Sequence, residues 1–143
     1  MLANMTRPTK VSEIERAWHL IDVKGKILGR AATEAALLLM GKSKPYFAKN
    51  LDCGDNVVVI NAQEVAVTGK KETDKVYTRY SGYPGGLRKI TIKELRTQKP
   101  GEIVRHAVAG MLPKNKLRAS MLKRLFIFRG SEHKFGDKIK DKK

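Results

Sequence analysis

The hydrophobic pattern alternates between short β-branched runs and one long helical stretch. Residues 17–23 predict a strand, and residues 24–26 are typical of a turn. Residues 28–40 are apolar or alanine except along a narrow polar stripe, which predicts a largely buried helix closed by Gly41. The unbroken run 57–60 is typical of a strand covered on both faces, as in a parallel sheet. Strand, helix and strand together predict a βαβ unit.

The second half of the chain predicts shorter elements. They are, in order, a short strand at 65–68, an alternating strand at 75–80, a glycine-rich loop at 81–86, helices at 92–96, 100–112 and from about 116, and a last strand at 125–128. We expect a single α/β domain over residues 15–133. A flexible arm over residues 1–14 and a disordered Lys-rich tail over residues 134–143 are expected to flank it.

The net charge of the chain is the strongest indication of what it binds. Thirty Lys and Arg oppose fourteen Asp and Glu, a formal net charge of +16, spread along the chain and densest after residue 98. Such a domain repels itself and favours a polyanion, with nucleic acid first, an anionic membrane second and a heparin-like glycan third. Aromatic residues make up 6% of the chain, which argues against base stacking as the main mode of binding.

Other compositional features exclude whole classes of site. The single cysteine, Cys53, excludes an intrachain disulfide and a Cys-rich zinc site, and the three histidines lack metal-ligand spacing, so no metal or cofactor is expected. No apolar run approaches the length of a membrane span, and the first residues lack the apolar core of a signal peptide. These features predict a protein of the reducing cytoplasm.

Two motifs suggest catalysis and fail on inspection. Gly41-Lys42-Ser43 resembles the end of a phosphate-binding loop, but Ala36 stands where that loop has its first glycine, and Gly41 closes a helix instead of opening one. Cys53 lies between carboxylates, which disfavour a thiolate nucleophile, so a turn before the central strand is the favoured interpretation.

Two basic groups are better candidates for function. The glycine-rich loop is flanked by Arg79, Arg88 and Lys89, which fits a phosphate cradle, although an ordinary turn fits about equally well. The second group is a C-terminal ridge, predicted to face outward while Leu117, Met121, Leu122 and Leu125 face inward. Its members are Lys114, Lys116, Arg118, Lys123, Arg124 and Arg129.

Several blocks, taken together and in order, resemble a known family. They are residues 26–32 (KILGRAA), 41–45 (GKSKP), 52–62 (DCGDNVVVINA), 68–71 (TGKK), 81–87 (SGYPGGL) and 110–114 (GMLPK). In this order they resemble the bacterial form of the large-subunit ribosomal protein thirteen (uL13) family. The resemblance covers about residues 18–133. Tyr80 departs from it, since histidine is common at that position, and so do Asn115 and Ala119, where many relatives have glycines.

The resemblance implies a three-layer α/β/α fold with a small, mostly parallel central sheet. It also implies a structural protein of the ribosome in the cytoplasm, without catalysis, cofactor, small-molecule substrate or membrane partner. Its partners would be large-subunit ribosomal RNA, which it binds early in assembly and holds together, and neighbouring large-subunit proteins. An enzyme acting on RNA and a free RNA chaperone or regulator are the rival hypotheses.

The candidate RNA-binding residues combine the basic groups with positions carried over from the family. They are Arg30, Lys42, Lys44, Lys49, Lys70, Lys71, Arg79, Tyr83, Gly85, Gly86, Arg88, Lys114, Lys116, Arg118, Lys123, Arg124, Arg129 and His133.

Overall fold

The computed structural model describes residues 8–139, which form five strands and five α-helices. The strands are β1 (Trp18–Asp22), β2 (Asn56–Ile60), β3 (Val76–Tyr80), β4 (Leu87–Thr91) and β5 (Leu125–Ile127). The helices are α1 (Leu28–Met40), α2 (Lys71–Asp74), α3 (Ile92–Gln98), α4 (Pro100–Met111) and α5 (Leu117–Lys123).

The central sheet has three parallel strands in the order β1-β2-β5. Strand β2 lies in the middle, and Val57, Val58, Val59 and Ile60 are all buried, as expected for a β-branched run in a strand covered on both faces. The remaining strands, β3 and β4, form a separate antiparallel hairpin. The predicted α/β domain with a mostly parallel central sheet is therefore confirmed.

The two faces of the sheet are covered differently. Val57 and Val59 belong to the main core, which includes the apolar faces of α1 and α4. Val58 shares the opposite face with its register partners Leu20 and Phe126. Phe126 stacks on Trp18 with ring centroids 5.6 Å apart, and Phe135 packs 4.6 Å from Phe126. Aromatic side chains from the end of the chain thus help to bury the second face.

The connection from α1 to β2 is held tightly against the end of the helix. Gly41 ends α1 in the left-handed conformation, with φ of 76°. The amide of Asp55 then donates to the carbonyl of Leu38 at 3.0 Å. Gly54 approaches the same helix end so closely that a Cβ atom there would lie 1.6 Å from the carbonyl oxygen of Leu39. This contact accounts for a glycine between Cys53 and Asp55.

Most of the predicted elements are confirmed, including α1 at its predicted bounds. Helix α3 begins at a capping box, in which Thr91 Oγ1 accepts from the amide of Glu94 and the Glu94 carboxylate accepts from the amide of Thr91. The strand predicted at 65–68 is wrong, because only a single bridge joins Ala66 to Ile27. Strand β4 went unpredicted, because near the hairpin loop its residues are exposed on both faces and show no burial alternation.

The structure describes part of each of the two predicted end segments. Within the predicted arm, residues 1–7 lie outside the described residues, while Val11–Glu13 form a 3-10 turn and Thr9 donates to the carbonyl of Tyr46 at 2.9 Å. Within the predicted tail, residues 140–143 lie outside the described residues. Phe135 joins the aromatic cluster, and Gly136–Lys138 form another 3-10 turn. Packing in the domain therefore extends beyond residue 133.

We expect Gly54→Ala to destabilise the fold by about 2 kcal/mol or more, because the new methyl group meets backbone that cannot move aside cheaply. Gly110→Ala is the control: it adds the same methyl group to α4 in open space and should be neutral or stabilise by about 0.5–1 kcal/mol. Urea denaturation of both variants measures the difference. Equal effects of the two substitutions would contradict the proposed steric role of Gly54.

Candidate nucleic-acid interface

Not every cation of this chain is available to a ligand, and Arg124 is the clearest example. Both terminal nitrogens of its guanidinium donate to the carboxylate of Asp52, and one of them also donates to the carbonyl of Leu39 at 3.2 Å. Its Nε donates to the carbonyl of Asp55 at 3.3 Å. The side chain is only 12% exposed. Arg124 therefore ties the C-terminal end of α1 to the loop before β2.

A second group of polar side chains surrounds Asp55, whose side chain is almost fully buried. Lys44 pairs with this carboxylate and also donates to the carbonyls of Glu15 and Cys53. His19 Nε2 lies 2.8 Å from the other carboxylate oxygen. Arg16 lies 3.6 Å from the Asp52 carboxylate and donates to the carbonyl of Gly54 at 2.7 Å. We call Asp52 and Asp55 with Arg16, His19, Lys44 and Arg124 the internal charge network.

The internal charge network sets the ionisation of its buried member. Burial alone raises the pKa of Asp55, but hydrogen bonds from Lys44, from the amide of Ala17 and from His19 outweigh that effect, so the pKa falls below its ordinary 3.8. Asp55 is therefore a carboxylate held ionised by the residues packed around it. Among the described residues, no buried side-chain nitrogen or oxygen lacks a hydrogen-bond partner.

These contacts correct part of the predicted ridge. The sequence placed Arg124 outward on the same face as Lys116 and Lys123, and that orientation is wrong. Arg124 follows α5 as its C-cap with non-helical torsions, so helical spacing no longer determines where its side chain points. Lys44, predicted as a loop cation, is likewise only 13% exposed and is occupied inside the domain.

Five of the remaining loop and ridge cations lie on or beside the elements that line one cavity. The loop after α1 and the turn between α4 and α5 line this cavity of about 380 Å³, with Lys42 and Lys49 on one side, Leu112, Pro113 and Asn115 on the other, and Met121 contributed by α5. Lys114 and Lys116 are exposed beside this turn, and Lys123 is exposed at the end of α5. We call Lys42, Lys49, Lys114, Lys116 and Lys123 the loop–ridge surface. None of the five makes an ion pair with another described residue.

The other predicted residues lie around this surface or apart from it. Arg30 is exposed on α1, one turn before Thr33, whose hydroxyl contacts the sulfur of Met111 at the end of α4. Arg118 is half-buried on α5. Arg129 is exposed and donates to Gln63 Oε1 at 2.9 Å, and His133 is half-buried beside Phe128.

The β3–β4 hairpin forms a second basic region. Arg79 and Arg88 are register partners on adjacent strands, and both are exposed. Like charges directly opposite each other destabilise an antiparallel pair, so this arrangement favours an anion between or beside them. Lys70 and Lys71 are exposed just before the hairpin, at the start of α2.

The glycine-rich loop is a folded turn at the tip of this hairpin. The amide of Gly86 donates to the carbonyl of Tyr83 at 3.0 Å, with Pro84 next and Gly85 at φ of 72°, which is the signature of a type II turn. The Gly86 amide is thus used inside the turn, as is the amide of Ser81, which donates to Gly86. This geometry favours the ordinary-turn interpretation over a cradle of free amides.

Sequence reasoning missed a further arginine. Arg96 makes two hydrogen bonds of 2.9 Å to the Glu72 carboxylate and two of 2.8 Å to the carbonyls of Gln63 and Val65. It lowers the pKa of Glu72 below its ordinary 4.5. Glu72 and Arg96 are 24 residues apart, so no local spacing could signal the pair. Like Arg124, Arg96 makes its hydrogen bonds within the domain and stabilises the fold.

The rival chemical sites gain no support. Cys53 is completely buried, so its sulfur is closed to a substrate. In residues 8–139 no group of three or more His, Cys, Asp or Glu is placed to hold a metal ion. No helix within the same residues is long and apolar enough to cross a membrane.

The described structure is thus an α/β domain that keeps a few cations for internal bonds and leaves many exposed on its surface. Residues 16–134 match the family model described as Ribosomal protein L13. The chain is 54% identical over 125 residues to large ribosomal subunit protein uL13 of Caldanaerobacter subterraneus subsp. tengcongensis, covering 87% of each chain. It is 51% identical to the uL13 protein of Dehalococcoides mccartyi, covering 90% of each chain, and 52% identical to that of Geobacillus kaustophilus, covering 90% of this chain and 88% of the relative.

The chain therefore belongs to the ribosomal protein L13 family. Membership confirms the resemblance seen in the ordered sequence blocks and the prediction of a non-enzymatic ribosomal protein. It does not by itself assign a role to any of the basic residues.

We expect Arg124→Ala to lower the free energy of unfolding by about 3 kcal/mol, because it leaves Asp52 poorly compensated at a partly buried site. Lys123→Ala, one residue away and exposed, should change it by no more than about 0.5 kcal/mol. Urea denaturation at neutral pH measures both. A similar, small effect of the two variants would show that Arg124 does not hold α1 to β2.

Stability should fall as the pH drops below about 4.5. Asp55 and Glu72 have lower pKa values in the folded chain than their ordinary 3.8 and 4.5, so the unfolded chain binds their protons first. Their stabilising effect is complete above the ordinary values and is lost as the pH falls through the folded ones.

Urea midpoints between pH 7 and pH 3 test this expectation. Asp55→Asn should have a lower urea midpoint than the parent at pH 7, and the difference between the two midpoints should become smaller towards pH 3. Asp74→Asn, at an exposed position, should follow the parent throughout. A difference in midpoint between Asp55→Asn and the parent that stays constant across this range would contradict the lowered pKa of Asp55.

Proposed function

We propose that this protein is a structural component of the large ribosomal subunit that binds large-subunit ribosomal RNA and holds segments of it together early in assembly. The relatives' names support the large-subunit location. The observation that carries RNA binding is the loop–ridge surface, where five lysines from three parts of the chain remain without ion-pair partners in the described structure. Phosphates are the partner that such a surface favours.

Two separate basic regions support the holding role. The loop–ridge surface lies at the junction of α1, α4 and α5, and the hairpin forms its own two-stranded sheet. A single rigid domain that binds one RNA segment at each region would fix the distance between them. The free RNA regulator remains a rival, and co-sedimentation with the large subunit at high salt would separate the two functions.

Binding to purified large-subunit RNA should depend strongly on salt. If several phosphates are neutralised, affinity should fall roughly ten-fold or more between ~50 and ~200 mM salt. Changing Lys114, Lys116 and Lys123 together to Glu should weaken binding at least a hundred-fold and reduce the salt slope, with little change in melting temperature. Arg124 is left unchanged because it belongs to the internal charge network.

The matched control changes Lys93, Lys99 and Arg105 to Glu. These residues are exposed on and beside α3 and α4, and their replacement alters the net charge by the same amount. Filter binding at matched salt compares the two variants. An equal loss of affinity in the control would mean that RNA responds to overall charge, and the loop–ridge surface would no longer be a located site.

A further inference from the structure

The β3–β4 hairpin carries an uncovered apolar and aromatic group at the tip of its outer face. Alternate residues of a strand share a face, so Tyr80 lies on the face of Val76 and Thr78, and Leu87 lies directly across from Tyr80. Lys89, across from Thr78, separates Val76 from the Tyr80–Leu87 pair. The exposed fractions of Tyr80 and Leu87 are 62% and 54%, and Tyr83 in the turn reaches 76%. We call Tyr80, Tyr83 and Leu87 the tip strip.

The opposite face of the same hairpin is different. Near its base, Tyr77 and Ile90 pack against the core, and at its tip Arg79 stands opposite Arg88. The hairpin therefore projects from the domain with apolar and aromatic groups on one side of its tip and two guanidinium groups on the other. An apolar surface left open on a basic projection indicates a contact site more than a packing defect.

Charge indicates which partner this tip fits. Residues 75–93 contain five Lys and Arg and no Asp or Glu. A partner must offer flat apolar surfaces and several negative charges within the width of one hairpin. Unpaired RNA nucleotides provide both, because their base faces are free to stack and their phosphates lie beside them. A continuous RNA duplex hides its base faces and matches only the arginine side.

We propose that the hairpin tip binds a single-stranded segment of RNA, with Tyr80 and Tyr83 stacking on unpaired bases and Arg79 and Arg88 binding phosphates of the same strand. The proposal rests on the proposed binding of ribosomal RNA and specifies the kind of segment that this region takes. It also revises the compositional expectation about stacking. Aromatic residues are few, but two of the four tyrosines stand exposed at this one tip.

The first experiment separates stacking from other contacts. The full chain is titrated with a single-stranded adenine oligoribonucleotide, with an RNA duplex of equal length and with purified large-subunit RNA. Changing Tyr80 and Tyr83 to Ala should weaken binding to the single strand by roughly ten- to a hundred-fold and leave binding to the duplex unchanged. The matched variant with Phe at both positions should bind the single strand like the parent, because the ring is kept.

The second experiment tests the arginine side. Changing Arg79 and Arg88 to Gln should lower the salt slope for the single strand by about 1.4, the amount expected for two lost phosphate contacts. Changing both tyrosines to Ala should leave that slope unaltered. All four replaced side chains are exposed, so melting temperatures close to the parent's are expected and are measured alongside.

Three outcomes would overturn the proposal. The first is single-strand affinity that survives the Ala substitutions. The second is an equal loss in the Phe variant, which would assign the contact to the phenol hydroxyls. The third is normal RNA binding by the Ala variant combined with failure to enter the large subunit, which would assign the tip strip to a neighbouring protein. A parent chain that binds none of the three RNAs would instead contradict the proposed function itself.

Discussion

The fold depends on how the loop before β2 is fastened to the end of α1. Asp52 and Asp55 begin and end a four-residue stretch that Gly54 allows to lie against the helix carbonyls. Arg124 then binds Asp52 from a position 72 residues later in the chain, and Lys44 binds Asp55 from within the preceding loop. Because β2 is the middle strand, this fastening sets the position of β1, β5 and the helix that covers them. Such pairs add modest net stability when complete, but losing one partner is costly.

Hydrogen bonds within the domain divide the cations into two populations. Lys44, Arg96 and Arg124 bond to carboxylates and backbone carbonyls inside the domain, and Arg16 donates to the carbonyl of Gly54 at its surface. Most of the other cations, including the loop–ridge lysines and the two hairpin arginines, point to solvent and repel one another. The domain can carry a net charge of +16 because the fold places its few buried charges in matched pairs and leaves the excess at the surface.

The elements whose limits depend on residues close in sequence could be predicted. The bounds of α1, the cap of α3 and the buried strand β2 follow from periodicity, from Gly41 and from the Thr91–Glu94 pair. Arg124 and Arg96 could not be placed, because their direction is set by Asp52 and Glu72, which are distant in sequence. The tip strip could not be predicted either. The alternation of residues 75–80 shows that the strand has two faces, but which face packs on the core depends on contacts with residues distant in sequence.

The order of β2, Arg124, β5 and Phe135 along the chain has a consequence for biosynthesis. In a nascent chain that stops before residue 124, the middle strand lacks one neighbour, Asp52 lacks its arginine and Val58 lacks its aromatic cover. Contacts of such long sequence separation form late, and open strand edges before then invite aggregation. The central sheet can therefore close only after residues 124–135 have left the ribosome that makes them.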